Sequence, residues 1–376
     1  MNNLLGLIPV LYAALQVVSR ELVGFIPSTS MSLTANEAAL NQPIRIPKTP
    51  ETDNLDITPG TPPIPTGTDF DYVDMAITKN KIARPIVWNG DEQVSVGNQL
   101  NAMMVNQFAQ AMRSLVNEVE RDVCLEATIG ALQGGNVYGT AEVTPFASNL
   151  TDIAQVRKIQ DDLGTPKSDR HLLINTATGA NIRSLTQLTN VNQSADQSLL
   201  RQGVILDLMG YAIRESSGFR FMDTGTVSSF GLSAAAAAGS TALAINSTIG
   251  DINPGAIIDI GGFYYTVTAP ALPGATTINI APALRENASS GQAGIVINNY
   301  MPNVAFSRDF IYLATRTPLM TKEGDDAKDV RVITDPVSGL SFQVVLYGDY
   351  RQVRIEIGMA WGVKAINNRH GLLLLG

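Results

Sequence analysis

The stretch from Gln99 to Leu132 constrains the chain more than any other. Leu100, Met104, Phe108, Ala111, Leu115, Val119, Val123 and Ala127 recur at steps of four and three, Met103, Met112, Val116 and Cys124 widen the stripe, and Gly134-Gly135 marks its end. This periodicity predicts a single helix of roughly 50 Å, well beyond the usual globular length. It is a spine on which other segments can lie. Cys124 falls on or beside its apolar face, which predicts a buried, inert thiol.

The first 26 residues are apolar but do not read as a leader or a membrane span. They have no basic start and no small-residue cleavage site, Pro9 interrupts them, and Arg20 with Glu21 end the run short of the ~20 residues that a span needs. Ile8, Leu11, Tyr12, Leu15, Val18, Leu22 and Phe25 or Ile26 instead form one stripe of an amphipathic helix. By spacing alone, that helix docks equally well on the chain's own core or on a neighbouring subunit. Pro27 to Pro65 then holds eight of the 19 prolines, a density that neither a helix nor a central strand survives. Phe70 to Ile77 and Lys81 to Trp88 alternate about Lys79-Asn-Lys and predict a hairpin. Residues 28 to 88 thus form a long extended arm, too rich in Ile44, Ile46, Phe70, Tyr72, Val73, Ile77, Ile82, Ile86, Val87 and Trp88 to be a solvated linker.

Beyond the spine, 151 to 163 predicts a shorter helix capped by a Thr or Asp and closed at Gly164, followed by a strand from His171 and a helix near 177 to 188. From Gly225 to Tyr300 only Asp251, Asp259, Arg285 and Glu286 are charged, and short β-rich runs alternate with Gly and Pro: 242 to 246, 256 to 260, 263 to 268, 276 to 280 and 294 to 297. Five or six such strands predict a small barrel or sandwich with its own core. Val304 to Leu313, a polar loop at Lys322 to Asp329, and two alternating strands, Leu340 to Leu346 and Arg351 to Lys364, complete the chain. The class is α+β.

Composition narrows the function. One Cys and two His, His171 and His370, exclude a disulfide scaffold and a structural zinc site. No G-x-S-x-G, H-E-x-x-H, P-loop or G-x-G-x-x-G occurs, His171 opens a strand, His370 sits in a polar turn, and Asp325, Asp326 and Asp329 lack calcium-loop spacing. No catalytic, cofactor-binding or metal residue is therefore assigned, and the chain reads as a non-enzyme. A net charge of −8 disfavours binding nucleic acid through phosphates. Charged residues are only 16% of the chain, against roughly 25% in ordinary soluble proteins.

Several stretches together resemble tailed-bacteriophage major capsid proteins of the Hong Kong 97 fold, in the podovirus-type branch that carries an inserted domain. They are Ile8-Pro-Val-Leu-Tyr-Ala-Ala-Leu-Gln-Val-Val-Ser-Arg-Glu-Leu-Val-Gly-Phe-Ile-Pro; Asn303 to Leu319, with Phe306, Arg308, Asp309, Ala314, Arg316 and Leu319 on matching positions; Gly339-Leu-Ser-Phe; and Trp361-Gly-Val-Lys-Ala-Ile. The resemblance implies an N-terminal arm (1–33), an extended E-loop (34–88), a peripheral domain on the spine helix (89–160), an axial domain in two parts (161–226 and 301–338), an inserted β-barrel (227–300) and C-terminal strands (339–376).

It also implies a function by assembly. Copies would form pentamers and hexamers and close into an icosahedral shell with a scaffolding protein and a portal. The shell would enclose DNA without reading its sequence, with a decoration protein as a possible addition and no membrane. The implied place is the virion capsid, assembled in the host cytoplasm. Leu11, Leu15, Phe25, Ile44, Ile46 and Trp88 are the expected intersubunit anchors and Arg84, Arg308 and Arg316 the charged contacts; ordinary intrachain packing is the competing reading. Some relatives crosslink a Lys to an Asn of a neighbour, but Lys48, Lys79 and Lys81 with Asn367 or Asn368 have no positional match to that reaction. An encapsulin-like, non-viral shell protein of the same fold is the alternative. A β-rich adhesin or lytic enzyme, prompted only by the Gly/Thr/Ala-rich insert, is the third.

Overall fold

A computed structural model describes residues 7–21, 24–48, 71–96, 100–185, 207–321, 326–335 and 338–376. The expected features at 1–6, 49–70, 186–188 and 322–325 lie outside the described residues. The architecture mixes α and β, with three larger sheets and one long helix.

The chain opens with α1 (Ile8–Glu21). Leu11, Ala14, Leu15 and Val18 are buried in one cluster with the spine, so α1 docks on its own chain. Tyr12, expected on the same stripe, is 42% exposed. It sits one helical step, about 100°, from Leu11, which turns it off the docked face. A 3-10 turn at Ile26–Ser28 leads to β1 (Ser30–Ala38) and β2 (Pro43–Lys48), followed by β3 (Asp71–Ala76), β4 (Lys79–Ile82) and β5 (Ile86–Asn89).

The pairing here differs from the expected hairpin. β3 pairs antiparallel with β2, from Pro43 opposite Ala76 to Lys48 opposite Asp71, while β4 and β5 pair with a strand near the C-terminus. Lys79-Asn-Lys is extended strand and not a turn. Its backbone pairs with that C-terminal strand, and its two lysines reach carboxylates on the spine.

After α2 (Gly90–Val96) comes the spine, α3 (Leu100–Gly134), 35 residues and about 52 Å long. Its buried positions run from Met104 and Phe108 through Met112, Val119 and Val123 to Ala131, with Cys124 among them. Met103 is the exception at 40% exposure. Gly135 ends the helix at φ +67, the left-handed conformation that a C-terminal cap requires, and its N–H bonds Leu132 O at 2.9 Å.

Next are β6 (Val137–Tyr138), α4 (Thr151–Asp162), β7 (Arg170–Ile174), α5 (Thr176–Ser184) and β8 (Ala212–Glu215). α4 is not capped as expected. Its N-cap is Leu150, without a side-chain bond, because Asp152 turns back to accept from Phe146 N at 2.8 Å. Gly164, at φ +73, does follow its end.

Residues 229–296 hold β9 (Ser229–Gly231), β10 (Ala242–Ala244), β11 (Ile257–Ile260), β12 (Phe263–Val267), β13 (Thr277–Ala281) and β14 (Ala293–Val296), in the order β10-β13-β12-β11-β14-β9. Ser233 N donates to Ala244 O (3.0 Å) and Asn246 N to Gly231 O (2.8 Å), so the two outermost strands are themselves hydrogen-bonded. Leu243, Ile258, Ile260, Val267, Ile278 and Ile280 fill a separate core inside this sheet.

The remaining strands are β15 (Pro302–Ser307), β16 (Ile311–Pro318), β17 (Ala327–Thr334), β18 (Ser341–Asp349), β19 (Gln352–Ala365) and β20 (Gly371–Leu375). β17 takes in 327–329, which were expected to be loop, and β20 was not anticipated. Two sheets result: β1-β16-β19-β18-β17 with β4 and β5 added on β19, and β6-β20-β15-β7-β8. Phe342, Val344, Leu346, Ile355, Ile357, Met359 and Trp361 from the first sheet share one buried cluster with α1 and α3. No helix among the described residues is long and apolar enough to cross a membrane.

Candidate functional site

The spine carries a row of acids spaced four apart, which a helix places on one side. Glu118 bonds Lys79 Nζ at 3.2 Å and also pairs with Lys81; Asp122 bonds Lys79 Nζ and Trp361 Nε1, each at 2.8 Å; Glu126 accepts from Ala365 N at 3.2 Å. Together they fix β4 and β19 along the rod. Burial alone would raise the Glu118 pKa, but bonds from Lys81 and Lys79 outweigh it and hold the carboxyl below its usual value. Lys79 mirrors this: burial works to lower its pKa, and Asp122 and Glu118 leave it raised. For Glu126, burial wins and the carboxyl sits above its usual value.

Glu120 faces another way. Oε1 accepts from Phe25 N at 2.6 Å and Ser216 Oγ at 2.7 Å, and Oε2 accepts from Ile26 N at 3.1 Å. It therefore holds the first amides of the turn that follows α1. A Cβ on Gly24 would lie 2.0 Å from Oε1, so glycine is what lets the backbone come this close.

Beyond that turn the N-terminal segment is bound along its length. Phe25 is fully buried, stacked on Phe306 (5.3 Å, 11°) and edge-on to Phe219 (5.7 Å). Arg308 Nη2 donates to Pro27 O at 3.2 Å, and Ser30 Oγ donates to Arg308 O at 2.8 Å. Arg316 donates to Ser32 O at 2.7 Å and to its Oγ at 3.0 Å, and β1 runs parallel to β16 from Ser30 opposite Tyr312.

The β2–β3 pair lies on the same sheet. Ile46, Met75 and Ile77 pack with Ala314 and Ala360, and Lys364 Nζ donates to Asp74 O at 2.7 Å. A Cβ at Gly362 would lie 2.2 Å from Ala76 O, so this close crossing requires glycine.

Of the nine expected contact residues, Leu11, Leu15, Phe25, Ile46 and Trp88 are buried inside this one chain, and Trp88 Nε1 bonds Gln107 Oε1 at 2.9 Å. Ile44 is half-buried against Ile46 and Met75, Arg84 is exposed, and Arg308 and Arg316 clasp the N-terminal segment. Among the residues weighed for a crosslink, Lys79 and Lys81 are bound to the spine, Asn367 contacts His370, and Asn368 donates to Gln133 Oε1. Glu120, Ser216 and Gly24 were not singled out in the sequence.

Cys124 and the two histidines sit as follows. Cys124 is buried with Sγ 3.5 Å from Ser216 Oγ, and burial followed by the nearby Glu120 pushes its thiol pKa up. His171 is buried beside Phe306 with neither ring nitrogen bonded; burial, then Arg214 and Arg308, lowers its pKa to about 4, so it is neutral at pH 7. His370 Nδ1 lies 2.7 Å from Asp309 Oδ2. Among the described residues, no group of three or more His, Cys, Asp or Glu is placed to hold a metal ion.

No protein-family model and no curated protein matches the chain. Among solved structures it is similar to the capsid of cyanophage P-SCSP1u (12% identity, 94% of this chain and 88% of that one, TM-score 0.46). It is also similar to a chain of Mycobacterium phage Che8 (15%, 90% and 85%, 0.43) and to a virus-like particle from Pyrococcus furiosus (10%, 97% and 97%, 0.42).

Proposed function

We propose that the chain is the major capsid protein of a double-stranded DNA tailed phage, with a Hong Kong 97-type fold of the podovirus-type branch. In this reading the six-stranded unit at 229–296 is the inserted barrel, and copies assemble as pentamers and hexamers into an icosahedral shell around the genome. One observation carries the reading. Two of the stretches that resemble this family, Ile8 to Pro27 and Asn303 to Leu319, meet: Phe25 stacks on Phe306, and Arg308 binds Pro27 O. Segments some 280 residues apart thus form one arm-and-clasp unit.

The assignment of contacts follows from burial. Leu11, Leu15, Phe25 and Arg316 hold the arm, Ile46 the β2–β3 pair and Trp88 the β5 strand, in a shape that can be presented to a neighbour. Ile44 and Arg84, with exposed Tyr72 on β3 and Tyr12 and Val17 on α1, then reach the adjoining copy, while Arg308 stays in the clasp. Scaffolding and portal proteins are the further partners of such a shell.

The test is to express the full chain, with and without a candidate scaffolding protein, and image the product by electron microscopy. Closed shells of regular diameter are expected. A monomer that stays soluble under every assembly condition would overturn the reading, and particles that enclose a cargo enzyme in place of DNA would transfer it to an encapsulin-like compartment.

A further inference from the structure

Glu120 is a spine carboxylate aimed away from the row that binds β4 and β19, and it forms no ion pair among the described residues. Each of its three partners is a donor, two of them backbone amides of the segment that tethers α1. From these positions we propose that Glu120 is a proton-sensitive latch, whose charge state sets how firmly the N-terminal arm is docked on the spine. The latch concerns the single chain and stands whether or not the chain forms a shell.

The groups facing the carboxylate are few. Gly24, Phe25 and Ile26 on the arm, and Ser216 and Gly218 after β8, bring no charge. On α3 the titratable neighbour is the Cys124 thiol, itself held neutral by burial. Among the described residues, only its three hydrogen bonds compensate the Glu120 anion. Burial outweighs them, and the docked carboxyl sits above its usual value. An undocked arm returns Glu120 to water and to its ordinary value. Docking thus takes up a proton: it is tightest in acid and weakens as pH rises from the ordinary carboxyl value through the raised one. The rest of the arm is held by Phe25 stacking and by Arg308 and Arg316.

The experiment is amide hydrogen exchange on the full chain from pH 5 to pH 8, corrected for intrinsic rates. Phe25 and Ile26 report the latch and Val304, in β15, the body. Protection at Phe25 and Ile26 is expected to fall by about threefold or more across the range while Val304 is unchanged. Glu120→Gln should flatten that dependence, because its amide does not titrate. If that variant does not fold, Gly24→Ala displaces the carboxylate sterically and should leave both amides poorly protected at every pH. Protection that is flat with pH, that rises with pH, that falls equally at Val304, or that keeps its slope in Glu120→Gln would overturn the proposal.

Discussion

In the sheet of residues 229–296, every strand finds its partners within the same stretch. In the seven-stranded sheet, Ser30 lies beside Tyr312 and Lys79 beside Trp361. The first unit buries Leu243, Ile258 and Ile278 with almost no charge; the second is joined to the spine by Lys79, Glu118, Asp122 and Trp361. Local pairing makes the insert cheap to close in entropy, while the body must bring distant segments together before any contact rewards it. The insert is thus a candidate for independent unfolding. The body should lose its sheet and spine together.

Both tryptophans, Trp88 and Trp361, belong to the body, so their fluorescence reports on it alone, while circular dichroism sees both regions. The largest expected effect is Phe25→Ala, which empties the centre of the Phe219–Phe25–Phe306 stack and should destabilise the body by about 3–5 kcal/mol. The tryptophan transition moves and a second, insert-borne step in ellipticity stays. Ile258→Ala should cost about 2–4 kcal/mol in the insert and leave the fluorescence midpoint in place. Coincident shifts in both signals would mean the two regions are one cooperative unit.

Gly135→Ala probes the joint between them. It forces a side chain onto a φ of +67, with its Cβ 2.9 Å from the Pro282 ring and 3.0 Å from Tyr264 O. A loss of about 1–2 kcal/mol is expected, shared by both transitions. The smallest effect is Lys79→Met, under ~1 kcal/mol because the pair is partly solvated. The sign of its pH dependence is fixed. Glu118 is held below its usual value, so the contribution is complete above that value and fades as pH falls through the lowered one. Lys79 is raised, so it fades again above the usual lysine range. Wild type and variant should converge at both extremes in denaturant titrations.

What could be read in the sequence follows the same division. The spine was legible because its apolar step of three and four repeats over eight positions, and five of the insert's strands because each is bounded by its own Gly or Pro. The hairpin at 70–88 was misread because β4 pairs with β19, a partner that no local pattern announces. β20 was missed since Gly371-Leu-Leu-Leu-Leu is short and has no period, yet both of its edges are paired and all five residues are buried. Glu120 escaped notice for a similar reason: beside an apolar stripe it looks like an ordinary solvated acid, and its partners lie 94 to 96 positions away.

The pair Met222 and Tyr300 bears on how such a chain could be remodelled. Met222 N donates to Tyr300 O at 2.9 Å and Tyr300 N to Met222 O at 3.2 Å, so everything between them leaves and re-enters the body through one two-residue doorway. A unit spliced at such a doorway can be gained, lost or exchanged without re-threading the sheet behind it. The same socket would accept a foreign domain whose ends are a strand's width apart.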